Sequence, residues 1–367
     1  MKKGKALSWL VLLLSVFFVM QFENVISQAS RLIHSNYKMT NQVFFNQNND
    51  FEHRAHIFSI DDAFIIVGKT AVQYIASDGR VIWEKDVSSQ NVSVGAGENA
   101  FVLVEKKAGD VFLIGKAGEI IEKRFSVGAV ESVKMFSEGY IGVLQKNNKF
   151  MLLDKHLKTV SDVQLPKGEV VTYDLDPNHQ SLAFAILDLT RREFNSKLVF
   201  VSYNGNITSG STISERIVYD VKIMKDCVAT LTDDGLIFFD YSGKQIGSYE
   251  PEQTISGFTL QDQMWLYLGK KDADNVTINP EVEKLVQINS SGEVTQTIEL
   301  KISDVKGIKN FGSQLIAYSD EMMVIINNEG KILDTYYGTE TIVDVHTIGS
   351  HSFAIEYINY LDIYTLK

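Results

Sequence analysis

Few residues in this 367-residue chain stand at spacings that chemistry would require. His53 and His56 form a His-x-x-His pair, a local pattern found in zinc sites. On a strand, residues three apart point to opposite faces, so these imidazoles cannot converge on one ion. Asp272-Ala273-Asp274-Asn275 opens like a calcium loop but lacks its central glycine and closing glutamate, and reads as a solvated acidic loop. The single cysteine, Cys227, excludes both an intramolecular disulfide and a Cys-x-x-Cys metal pair. It lies in the apolar stretch Cys227-Val228-Ala229-Thr230-Leu231 and reads as a small buried hydrophobe. There is no Gly-x-Ser-x-Gly, phosphate-binding loop or His-Glu-x-x-His. No catalytic residue, metal or cofactor is therefore expected. Asn-x-Ser/Thr sequons at Asn91, Asn206, Asn275 and Asn289 occur at a frequency that chance explains.

One recurrence carries more weight. Ser132-Val133-Lys134, Asp220-Val221-Lys222, Asp304-Val305-Lys306 and Asp344-Val345-His346 repeat a polar, valine, basic triplet in strand-like surroundings. Residues two apart on a strand share a face, so each triplet presents two polar side chains together. What those pairs do depends on the element that carries them.

That element is a repeat. Tyr74-Ile75-Ala76-Ser77-Asp78-Gly79-Arg80-Val81-Ile82-Trp83 reads as strand, Asp-Gly turn, strand. The same wording returns around Gly118, Gly205, Gly243, Gly292 and Gly330. Gly79 to Gly118 is 39 residues, and Gly205 to Gly243 and Gly292 to Gly330 are 38 each. Between Gly118 and Gly205, and 39 residues after the first, Leu157 holds the turn position of a unit that has lost its glycine. Each unit holds four short strands, here A to D, which is the pattern of a β-propeller blade. Two units carry about ten extra residues between strands B and C, at 188–195 and 269–280. The last unit runs out after strand C. An open edge would be a template for unwanted pairing, so Asn41–Asn46 is expected to supply the missing strand and clasp the ring. Seven whole units and one shared unit predict an all-β, eight-bladed propeller over 39–367.

The turn and tryptophan of Ser77-Asp78-Gly79-Arg80-Val81-Ile82-Trp83 resemble a quinoprotein-type propeller repeat. That family includes pyrroloquinoline-quinone alcohol dehydrogenases and the outer-membrane assembly lipoprotein propeller. The resemblance spans 40–367 as architecture and implies eight blades. Only the first unit has the docking tryptophan; later units carry Ile121, Ile246 or similar. The chain also resembles membrane-anchored propellers of Gram-positive bacteria. The resemblance to the dehydrogenases implies adjacent cysteines and a calcium-binding carboxylate set, and with one cysteine the more specific feature is missing, so catalysis is not expected.

In a propeller, strand A lines the central channel. The polar residues Lys134, Asp220, Lys222, Asp304, Lys306, Asp344 and His346 are then either a channel mouth for an ion or small ligand, or ion pairs between blades. The second reading is favoured, because buried charges need partners.

Lys2, Lys3 and Lys5 precede an uncharged apolar run from Ala6 to Phe22. It predicts one transmembrane helix with the N-terminus in the cytoplasm and the propeller outside, residues 1–38 forming stub, anchor and stalk. The alternative is a signal peptide cut near Ala29 and a secreted propeller. Net charge is −11, which disfavours nucleic acid. The expected role is a non-catalytic scaffold or binding module for an envelope or membrane protein, or a cell-wall component. Lengthened loops on rigid scaffolds carry binding, so Arg191, Arg192, Phe194, Lys270 and Lys271 are the candidate contacts. A ligand sensor or quinoprotein-like enzyme using the channel is the alternative.

Overall fold

The computed structural model describes residues 36–44, 56–60, 63–68, 71–86, 91–97, 99–176, 178, 180–189, 194–260, 264–269, 283–300 and 302–367. The expected anchor, His53, the acidic loop 272–275, Arg191, Arg192, Lys270 and Lys271 lie outside the described residues. Among the described residues no helix is long and apolar enough to cross a membrane.

Eight four-stranded antiparallel sheets follow one another along the chain. Blades one to seven occupy 56–86, 92–124, 130–164, 169–214, 218–249, 254–299 and 307–337. The eighth takes Asp344–Ile348, Ser352–Glu356 and Tyr360–Leu366 from the end of the chain, with Tyr37–Phe44 paired outside them. That outer strand starts at Tyr37, four residues before the stretch singled out in the sequence. Strand A of blade one touches strand A of blades two and eight, so the ring meets itself.

Burial explains the strand sequences. Strand B of most blades is covered on both faces, and in Ala63–Val67 and Met264–Gly269 it reads as an unbroken apolar run. Strand D lies at the rim and alternates exposed and half-buried residues, as in Val81–Asp86. The apolar core is divided into eight clusters, and each one straddles two neighbouring blades.

The C–D turns connect each blade to the next. Trp83, four residues after Gly79, stacks between Tyr74 and Phe101 and donates its indole N–H to the Lys116 carbonyl at 2.9 Å. The same position is Ser209 in blade four and Gln296 in blade six. Ser209 Oγ donates to Tyr241 O at 3.0 Å, and Gln296 Nε2 donates to Asn328 O at 2.7 Å. Every acceptor stands two residues before the next turn glycine. Ile121 and Ile246 stand one residue too early for this role and are about half exposed, and in blades four and six it is the polar Ser209 and Gln296 that dock.

Leu157 adopts φ +54, the left-handed conformation that its neighbours in the repeat reach with glycine. Asp154 Oδ1 holds the turn by accepting from His156 N at 2.8 Å and Lys158 N at 2.9 Å. Asp240, Asn289 and Asn327 clamp their own turns in the same way. The left-handed backbone costs about 1–2 kcal/mol, while burying the leucine side chain returns about 1.5–3 kcal/mol. Blade four absorbs part of its insertion differently from the sequence reading. All four of its strands are eight residues long, leaving 189–194 as the B–C connection.

Leu157→Gly should therefore be close to neutral in urea melts, since relieved strain offsets lost packing. Leu157→Ala keeps the strain and should cost about 2–3 kcal/mol. At Gly118 (φ +82) a Cβ would sit 3.0 Å from the Trp83 ring, so Gly118→Ala should be worse than either. A Leu157→Gly chain less stable than Leu157→Ala would contradict the strain argument.

Candidate functional site

The channel wall is built from the A strands, and its polar residues pair between blades. Asp174, on strand A of blade four, is the hub. Its buried carboxylate accepts the Ile223 N–H at 2.9 Å and lies 3.0 Å from Lys222 Nζ and 3.9 Å from Lys134 Nζ. Lys134 also donates to the Tyr173 carbonyl at 2.9 Å and lies over the Phe136 and Tyr173 rings. Three blades are thus tied through one carboxylate that belongs to none of the four triplets. Asp174 sits where the triplet pattern has lysine, so only the adjacency of blades three, four and five could reveal it.

Asp220 shares a face with Lys222 but does not pair with it. Its Oδ1 accepts from Val221 N at 2.9 Å and from Thr172 Oγ1 at 3.3 Å. Burial pushes the Asp220 carboxyl above the usual range, opposed by the Val221 N–H and the Lys134 ammonium.

In blade seven the channel residue differs from the one expected from the triplet. Asp304 and Lys306 precede strand A, which is Gly307–Phe311. Asp304 turns at φ +55, and Lys306 pairs with Asp320 across exposed surface. Ile308 opposes Ala317 as Val221 opposes Thr230, so Lys309 takes the channel position. Lys309 Nζ reaches Asp344 Oδ1 of blade eight at 3.0 Å, and Tyr318 Oη donates to that oxygen at 2.5 Å. Burial raises the Asp344 carboxyl, but Lys309, His346 and the Tyr318 hydroxyl together bring it below the usual range. Farther round, Asn310 Nδ2 donates to Thr259 Oγ1 at 2.8 Å, and Thr347 Oγ1 donates to Asn310 O at 3.1 Å. The structure therefore brings Lys134 and Lys222 together on Asp174 and sets Asp344 on Lys309. Asp304 and Lys306 stay apart from this network.

A cavity of about 460 Å³ opens against this wall, lined by Asp220, Ser256, Phe258, Lys306, Lys309 and Asn310 among others. Cys227 is buried, and burial followed by the nearby Asp226 charge raises its thiol, which suits an inert core residue.

A second feature lies at one end of blades four and five. Irregular pairing near the start of strand A leaves Val171 and Tyr219 outside the ladder, both exposed. Leu189 and Phe194 flank the B–C connection at the same end of blade four, and they too are exposed, Leu189 at 62%. Four large apolar side chains thus share one end of two adjacent blades.

Because Lys134 and Lys222 are well solvated, their pairs contribute little. An orphaned Ile223 N–H costs about 1–3 kcal/mol. Asp174→Ala should lose that amount in denaturant melts, and Asp174→Asn, which keeps an acceptor, should recover most of it. Equal losses would mean that charge rather than hydrogen bonding governs this hub.

Solved structures with the same architecture are numerous. BamB from Moraxella catarrhalis aligns over 90% of this chain and 99% of its own, with 11% identity and a TM-score of 0.57. The C-terminal WD40 domain of Sif2 aligns over 90% and 98%, with 10% identity and a TM-score of 0.63. The computationally designed Ika8 protein aligns over 89% and 100%, with 10% identity and a TM-score of 0.65. At such identities the likeness establishes the fold alone. No curated protein matches the chain in sequence. Residues 33–363, covering every blade, match one family, and the chain belongs to it: the family of unknown function DUF5711.

Proposed function

We propose that this propeller is a non-catalytic interaction module, anchored in a membrane by 6–22 and held outside the cytoplasm, which docks a second protein of the cell envelope. The exposed apolar group of Val171, Leu189, Phe194 and Tyr219 carries the reading. Exposed apolar residues gathered on one end of a rigid scaffold are what a partner's own apolar surface would cover. Arg191 and Arg192 fall in sequence between Leu189 and Phe194, and Lys270 and Lys271 follow the last residue of strand B in blade six. Basic residues that neighbour apolar ones in the sequence suit a partner with an acidic rim. Replacing Leu189, Phe194 and Tyr219 together by serine should leave the melting temperature nearly unchanged. It should also abolish the partner that crosslinking recovers from cells. Recovery at undiminished yield would exclude this face.

The N-terminal strand supports an orientation. Tyr37 Oη donates to Ser350 O, in the A–B turn of blade eight, so the outer strand begins at the end of the ring opposite the apolar group. An anchor there would leave the apolar end facing away from the membrane. Tyr37 joins the core between blades seven and eight, and Val43 joins the core between eight and one. This supports a clasp in which one strand completes two interfaces. Removing 1–36 should leave the melting temperature almost unchanged, and removing 1–47 should lower it by many degrees. Equal melting of the two truncations would rule the clasp out.

A further inference from the structure

The A–B hairpin of blade eight gathers three side chains that the network between blades uses only in part. We propose that Asp344, His346 and Glu356 form a divalent-cation site in the channel wall, suited to zinc or a comparable borderline ion. Strand pairing sets Asp344 opposite Glu356 and His346 opposite Ala354. Asp344 and His346 share a face, and the small Ala354 leaves His346 free to lean back toward the glutamate. One potential ligand atom from each residue lies within 4.8 Å of the other two. His346 Nε2 and Glu356 Oε2 are 2.7 Å apart, and both side chains are only 11% exposed. One imidazole nitrogen and two carboxylate oxygens form a donor set that suits zinc. Calcium and magnesium favour oxygen alone.

Access is provided independently of the ligands. The cavity of about 460 Å³ is lined by Lys309, Tyr318 and Thr347, and the first two touch Asp344 directly. An ion arriving by the channel would meet Asp344 first, since its side chain is 32% exposed. Lys309 is then a built-in competitor, its ammonium 3.0 Å from the Asp344 carboxylate. It is 37% exposed and can turn into the channel when an ion takes its place. Sequence reading missed the site because Glu356 lies ten residues from His346 and only the hairpin brings them together. The proposal is independent of the docking surface, which lies at the end of blades four and five.

The test is a calorimetric titration of the full chain, purified in detergent and stripped with chelator, with zinc chloride at pH 7. Magnesium and calcium serve as comparison ions. One zinc per chain is expected, with weaker or no binding of the other two. His346→Gln should weaken zinc at least tenfold, and Lys309→Gln should tighten it several-fold by removing the competing charge. Cobalt(II), bound in place of zinc, should show a visible spectrum that His346→Gln changes. Equal zinc affinity in the original and His346→Gln chains overturns the site. So does unchanged or weaker binding by Lys309→Gln, which decides the question even if His346→Gln does not fold.

Discussion

Each blade is a sheet with two apolar faces, and neither can be covered from within its own blade. Everything else in this molecule follows from that constraint. The eight apolar clusters all lie between blades, so burial is complete only when the ring is. A free edge would cost more here than in a layered fold, because it would expose both an unpaired strand and half of two cores. Tyr37 and Val43 sit in the two clusters flanking the shared blade, where that exposure would otherwise fall.

Burial by itself would let neighbouring blades slide past each other. Two sets of directional contacts oppose this. At the rim of blades one, four and six, the residue four after the turn glycine reaches the next turn, with an indole, a hydroxyl or an amide filling the same role. At the channel, Asp174 and Asp344 collect lysines and backbone or hydroxyl donors from adjacent blades. Energetically the hydrogen bonds from buried donors outweigh the solvated ion pairs. The channel polarity is thus first a solution to assembly.

With the wall engaged in that role, the surfaces free for recognition are the ends of the blades and the few channel groups left over. Blade four is the tallest, and blade five presents its unpaired tyrosine beside it. The apolar end and the hairpin of blade eight are separate features with separate chemistry. Fold does not choose between them, since propellers with only about 10% of their residues in common share this architecture.

The turn glycines at spacings of 38–39 were enough to count the blades and to recognise Leu157 as a glycine substitute. Those features are local: a left-handed turn and an alternating strand write themselves into adjacent residues. The lateral contacts are not local. Nothing near Ser209 or Gln296 marks them as equivalents of Trp83, because their partners lie 32 residues downstream. The Asp-Val-Lys triplet at 304–306 matched in letters and failed in register, since pairing with strand B decides which residue faces the channel. Asp174 and Glu356 acquire their partners only when separate strands are brought side by side. Sequence determined the repeat because a repeat is a local pattern. Which charges meet was decided by the closed ring, because only closure fixes what stands opposite what.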